Sequence, residues 1–346
     1  MISHFGSPEH VFAAAGAMLE VPGVGPSLRK RFQDQAVLAA AQKRADRELE
    51  QLQQRNISFL SISSAYYPKL LKNIPEPPVV LYCKGDLALL DKPGVAVVGS
   101  RSATDYGKRV STMLAQELSC QGLSIISGGA YGIDAAAHEG ALQGEGTTCA
   151  VLGCGIDVVY PKVHQQLFQA IEQDGLLLSE YPLGAKPEPF RFPARNRIIS
   201  GLATGVVVVE ATLKSGSLIT ARLALDQGRE VFAVPGRIDS IKSSGCHRLI
   251  QQGAHLVNNA EDIIHELGFV TTGRLTREQG ENTVSAPHLE NEEETLLSFI
   301  DIYPVDIDTL LRLSGLNSNI IHSLLLQLEL KGLIRQLPGQ QYEKVT

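Results

Sequence analysis

The chain has 346 residues, 44% of them hydrophobic, and a formal net charge of −6, which is enough apolar material to fill the cores of two or three domains. No stretch reaches the roughly 18 uninterrupted apolar residues of a membrane span, and the start MISHFGSPEH lacks a charged segment followed by an apolar one, so a cytoplasmic protein is expected. The 5 cysteines include no CxxC pair, which argues against a disulfide framework or zinc site and for buried free thiols.

Charge is unevenly spread. Residues 1–92 carry 11 Lys+Arg against 9 Asp+Glu, residues 93–287 carry 16 against 19, and residues 288–346 carry 4 against 9. The C-terminal piece supplies most of the acidity. KPEPFRFPARNR, residues 186–197, instead sets Lys186, Arg191, Arg195 and Arg197 among aromatic rings with Glu188 as its one acid. Interleaved cations and rings suit a nucleic-acid backbone and its bases.

Residues 1–60 read as a helical domain. MLEVPGVGPSLRKRF places Gly23 and Gly25 two apart, with Ser27 as the expected cap of a basic helix, the look of a helix-hairpin-helix (SAM-like) unit. Such a turn can hold a DNA phosphate without reading sequence. It can equally be a plain tight turn, and both readings stay open.

From Pro93 short β-branched runs alternate with helical segments: VAVVG, LSIIS, TTCAVLG, GLLLSE, TGVVVVE, REVFAVPG and AHLV. This is the pattern of a parallel sheet buried on both faces, an extended Rossmann-like α/β domain over residues 61–268. The preceding VVLYCKG is expected at the sheet edge. Residues 269–287 read as a polar linker. Residues 288–346 give three amphipathic helices and a hairpin turned at LPGQ, a winged helix. Its acidity, and Lys331 as the one cation at the end of its would-be recognition helix, point to a partner or self-interaction module rather than a duplex reader.

Three consecutive strand ends carry glycine loops, VVGSRSATDYG, SGGAYGID and LGCGIDVVYP. Open α/β sheets bind ligands at the carboxyl ends of their strands, and amides at such loops form an anion concavity, so phosphate is the expected ligand group. In the first loop Arg101 stands where a dinucleotide fingerprint would need its second glycine, and no P-loop lysine is present. A phosphate presented from outside, as by a nucleic-acid backbone or a phosphorylated sugar, fits better than a dinucleotide. Asp134 and His138, four apart, read as a local pair holding the glycine loop rather than as catalytic groups. Glu180 and Glu210 end apolar strands and could suggest paired carboxylates, but a carboxylate facing the start of the helix SGSLITARLAL reads as a structural cap. Without a GxSxG, HExxH, metal-spaced cluster or Walker motif, no catalytic residue, metal or cofactor is expected.

Together VVGSR, SGGAYGIDAAAH, AVLGCGIDVVYPK, SEYP, FRFPARNRIISGL, VVVVEATLKSGSLITARLALDQGREVFAVPG and GCHRLIQQGAHLV resemble the DprA (Smf) family of bacterial DNA-processing proteins over residues 60–260. The resemblance implies a single-stranded DNA-binding homodimer that protects incoming DNA and loads the recombinase RecA in natural transformation. It places DNA contacts on Arg101, Lys162, Gly99, Ser100, Ser127, Gly128 and Gly129, with Asn196 and Arg197 lining the same pocket. Dimer contacts fall on Ile250 and Leu256, and the recombinase surface near His247. Tyr131 and His164 depart from the family pattern, which has Arg and Asn there; a tyrosine could stack on a base in place of a charge contact. The alternative is a nucleotide-processing enzyme of the phosphoribohydrolase-like Rossmann superfamily, whose PGGxGTxxE is missing.

Overall fold

The computed structural model describes residues 2–6, 8–13, 21, 24–269, 291–300 and 304–344, which fall into two units, Met1–Arg274 and Leu275–Thr346. In the first unit one sheet is built from β1 (Ser58–Ser61), β2 (Val80–Gly85), β3 (Gly94–Val98), β4 (Ser124–Ser127), β5 (Thr148–Leu152), β6 (Leu176–Ser179), β7 (Gly205–Val208), β8 (Glu230–Ala233) and β9 (His255–Leu256). Its order is β1-β2-β6-β5-β4-β3-β7-β8-β9. Pairing is parallel from β6 through β9, while β2 runs antiparallel to both β1 and β6.

Every strand expected from the sequence is present, and β1 is an addition. VVLYCKG is therefore one strand in from the edge, because β1 pairs along its outer side. The expected domain boundary at residue 60 falls inside β1. The four-residue SFLS buries one side chain fully, too little alternation to stand out in the sequence.

The central strands are buried along their whole length and use period-two alternation to feed both faces. Val95, Val97 and Ile125 pack on one face against Leu114 and Leu118 of the helix Asp105–Cys120. Ala96, Val98 and Ile126 face the other way, toward Ile198 and Ile199 of the helix Arg191–Leu202 and Ala221 and Ala224 of the helix Ser217–Asp226. The chain leaves β3 toward β4 on one side and returns as β7 on the other. The strand order reverses there, and the loops after β3 and β7 part to leave a crevice.

In the helical N-terminal region the helix Pro26–Gln33 starts one residue before Ser27, with Gly25 as N-cap and Pro26 in its first turn. Ser27 is thus inside the helix and caps nothing, and Gly23 lies outside the described residues. Asp34 caps the next helix, Gln35–Gln54, by accepting from the amides of Ala36 (3.0 Å) and Val37 (3.3 Å). That helix is tied to the sheet domain. Leu52 is buried with Tyr82 and Phe168, and Glu48 accepts the Tyr82 hydroxyl at 2.9 Å.

Four cysteines are buried free thiols, but Cys120, the last residue of its helix, is exposed. No described helix is long and apolar enough to cross a membrane. In the second unit the helices Asn291–Ser298, Ile307–Ser314 and Ser318–Leu330 pack Leu296, Leu310, Ile321 and Leu328 around one core. The expected hairpin is β11 (Ile334–Leu337) with β12 (Gln341–Lys344), and β10 (Val305–Asp306) adds a third strand to complete a winged helix. Of the expected linker, all but Phe269 lies outside the described residues.

Candidate nucleic-acid interface

A cavity of about 410 Å3 occupies the switch point. Gly99–Ser102 after β3 form one wall, and Thr212 to Ser217 after β7 the other. Ala130, Asp134, Phe192, Arg195 and Asn196 are among the other residues that line it.

The glycine loop between β4 and the helix Ile133–Gln143 is shaped by close packing. A Cβ on Gly128 would come within 2.6 Å of both Arg195 Nη2 and Asp134 Oδ2, so no other residue fits between them. Gly132 has φ +76°, and a Cβ there would lie 2.3 Å from the Ser100 carbonyl oxygen; this closeness lets the Ile133 amide donate to that oxygen at 3.2 Å. The first two glycine loops are thereby locked together. Arg195 is 3% exposed and donates to the carbonyls of Gly128 (2.8 Å) and Val151. Burial lowers its pKa to about 10, against the pull of Asp134, and raises that of Asp134, against the pull of Arg195.

Gly99, Ser100, Arg101 and Asn196 line the cavity. Ser127, Gly128 and Gly129 do not; the Ser127 hydroxyl is buried and donates to Val97 O at 2.6 Å. Arg197 is also turned away. Its guanidinium donates to Glu76 O (2.9 Å), Ala194 O (3.1 Å) and Glu180 Oε1 (2.5 Å), so of the pair expected to line the pocket only Asn196 does. Lys162 is exposed on the short 3-10 turn Lys162–His164, outside the cavity but joined to it by a run of rings. The Arg101 guanidinium lies 5.4 Å from the centroid of Phe192, and Phe192 lies 5.5 Å from Tyr160, two residues before Lys162. The two departures meet: the rings of Tyr131 and His164 are 5.2 Å apart, and His164 Nδ1 is 3.0 Å from Gly129 O.

Other expectations change. Asp134 and His138 are not a pair. Asp134 faces the glycine loop and accepts the Ala130 amide at 3.4 Å, while His138 Nδ1 sits 2.7 Å from Thr148 Oγ1 on β5. Desolvation lowers the His138 pKa to about 3 and keeps the ring neutral. Glu210 caps a different helix from the one expected. Its carboxylate accepts the Thr104 amide (2.9 Å) and hydroxyl at the start of the helix Asp105–Cys120, because β7 pairs with β3 and its end faces the loop after β3. The third glycine loop does not line the cavity; Gly153 instead makes room for the Phe192 ring.

Sequence reading missed Thr212, Lys214, Ser215, Gly216 and Ser217. Their loop ends β7, and only the strand order shows that β7 adjoins β3. Near the dimer positions, Ile250 packs partly against the core from the helix Ser244–Gln251, and Leu256 is 44% exposed on edge strand β9. His247 is partly buried, with Nε2 2.9 Å from Gly236 O.

A doubly wound α/β domain with a cation-lined cavity at its switch point, in a chain that also holds a winged helix, defines a protein of two modules whose candidate site suits an anion. Family comparison names the class. The family described as DNA recombination-mediator protein A matches residues 58–268, and the DprA winged helix domain matches residues 281–340. The chain belongs to this DprA family. It is 38% identical over 327 residues to Protein Smf of Synechocystis, covering 86% of this chain and 82% of that one. The solved structure of DNA processing protein A from Streptococcus pneumoniae superposes with a TM-score of 0.65 at 44% identity, covering 73% of this chain and 86% of the other. DNA processing protein A from Helicobacter pylori, reported for its single-stranded DNA binding mode, has a TM-score of 0.56 at 38% identity, covering 61% of this chain and 95% of its own.

Proposed function

We propose that the protein binds single-stranded DNA in the cytoplasm and processes it for natural transformation, protecting the strand and handing it to the recombinase RecA. It acts without catalysing a reaction and as a homodimer through the helix Ser244–Gln251 and β9. The observation that carries this reading is the surface run Arg101, Phe192, Tyr160, Lys162, in which two cations flank two contacting rings. Cations follow a phosphate backbone while rings stack on bases of any sequence. Tyr131, 48% exposed beside the glycine loop, extends the same surface. Membership of the DprA family, and the strand binding reported for the Helicobacter pylori relative, support it.

The test is a salt series of oligonucleotide binding with Arg101→Glu combined with Lys162→Glu. Binding should be lost while the thermal unfolding curve is kept. Each lost phosphate contact should flatten the log-log salt slope by roughly 0.7 for single strands. A double variant that binds as tightly as the parent at the same salt would remove this surface from the function.

A further inference from the structure

The wall built by the loop after β7 carries polar groups that the protein leaves unsatisfied. The helix Ser217–Asp226 starts at Gly216 with no side-chain cap, since Glu210 is engaged with Thr104 instead. Among the described residues the amides of Gly216 and Ser217 have no backbone acceptor, as first-turn amides do until something caps them. The Ser217 hydroxyl is buried, on a residue 6% exposed, and has no hydrogen-bond partner; the Nε of Arg195, another residue of the lining, is likewise unpaired. Ser217 is one of the residues that line the cavity, so a ligand there meets a hydroxyl with no hydrogen bond to give up. Lys214 lines the same wall and is exposed.

Each of these groups can donate a hydrogen bond, and the amides of Gly216 and Ser217 lie at the positive end of a ten-residue helix. Asp134 is the one acid in the lining, and it sits against Arg195, which offsets its charge. Opposite, Arg101 and Ser100 close the other wall. An internal phosphodiester offers one negative charge and must let the chain leave in two directions. A phosphomonoester carries close to two charges and three free oxygens, which suits donors on facing walls.

We propose that the cavity wall formed by Lys214, Gly216 and Ser217 is a subsite for the terminal phosphate of a deoxynucleotide, either the 5′ end of a single strand or a free mononucleotide. The proposal rests on the single-strand reading only for the first of these two sources. A strand anchored here by its end would then run out along the Phe192, Tyr160 and Lys162 surface.

The experiment compares fluorescence anisotropy of a 3′-labelled 20-nucleotide strand carrying either a 5′-phosphate or a 5′-hydroxyl, with calorimetric titration of dAMP and deoxyadenosine in parallel. The full-length protein should bind the 5′-phosphate strand at least fivefold more tightly. Lys214→Ala and Ser217→Ala should each erase most of that difference; Lys214 is on the surface, so its variant tests the site without risk to the core. Binding of dAMP, but not deoxyadenosine, with no difference between the strands would support the subsite with a free mononucleotide as its ligand. Equal affinity for both strands together with no heat from dAMP overturns the proposal, even where the 5′-hydroxyl strand binds well and the single-strand reading stands. If neither strand binds, that reading fails, and the dAMP titration still decides the subsite.

Discussion

Arg195 and Asp134 close on Gly128 from two sides, leaving no space for a methyl group between the guanidinium and the carboxylate. The glycine is needed for clearance as much as for the turn. Gly128→Ala must push apart a buried cation that bonds two strand-end carbonyls and a buried acid that accepts a loop amide. We expect a loss of about 1–3 kcal/mol, the usual cost of overpacking a close-packed site. A urea melt that shows the variant as stable as the parent would mean that the loop shifts freely.

Arg197 should behave unlike Arg101. Its guanidinium is engaged with Glu180, Glu76 and Ala194, so Arg197→Ala should cost about 1 kcal/mol of stability, near the low end for a partly exposed ion pair with added hydrogen bonds. The salt slope of strand binding should stay that of the parent. A slope lowered as far as in an Arg101 variant would show that Arg197 swings out to meet the strand.

Assembly can be tested at one residue. Leu256 is exposed on edge strand β9, whose outer backbone edge has no strand partner among the described residues, whereas Ile250 rests partly on the core and a charge there would also disturb the fold. Leu256→Arg alone should therefore give monomers of undiminished stability. Light scattering that still reports dimers would place the interface elsewhere.

Buried His138 makes the fold sensitive to acid. Its folded pKa of about 3 lies below the ordinary 6.5, so the unfolded chain takes up a proton that the fold refuses. Stability should fall as pH drops from 6.5 toward 3, by at most about 1.4 kcal/mol per pH unit from this group. Asp134, with its pKa raised, acts in the opposite sense just above its ordinary value. The difference between parent and His138→Gln isolates the histidine: urea midpoints at pH 7.5 and 4.5 should drift apart less in the variant, and equal drift would contradict the assignment.

Much of this architecture is legible in the sequence. Runs such as VAVVG and TGVVVVE are apolar throughout because both sheet faces are covered, and the acidic C-terminal piece shows its three helices and hairpin by period alone. β1 was not legible, since its pairing with β2 is decided by distant residues and not by SFLS itself. The same holds for the site. Arg101 and Asn196 stand out by type and place, but Lys214 and Ser217 become site residues only because β7 adjoins β3. Glu210 reaches Thr104, 106 residues away in sequence, for that reason as well. Arg195 and Arg197 sit in one basic run, and nothing in its composition tells that one is buried beneath a loop while the other is tied to Glu180.

The cavity draws its lining from residues 98–102, 130–134, 192–199 and 212–220, with β3 held between β4 and β7. No early stretch of the chain contains it. On a ribosome, the first wall emerges more than a hundred residues before the second, and β3 must wait with one edge open until β7 arrives. The cavity is thus a late product of folding, tied to long-range strand pairing that pays its loop-closure entropy before it gains any contacts. A chain cut short before β7 would keep Arg101, Phe192, Tyr160 and Lys162 but lack the second wall of the cavity.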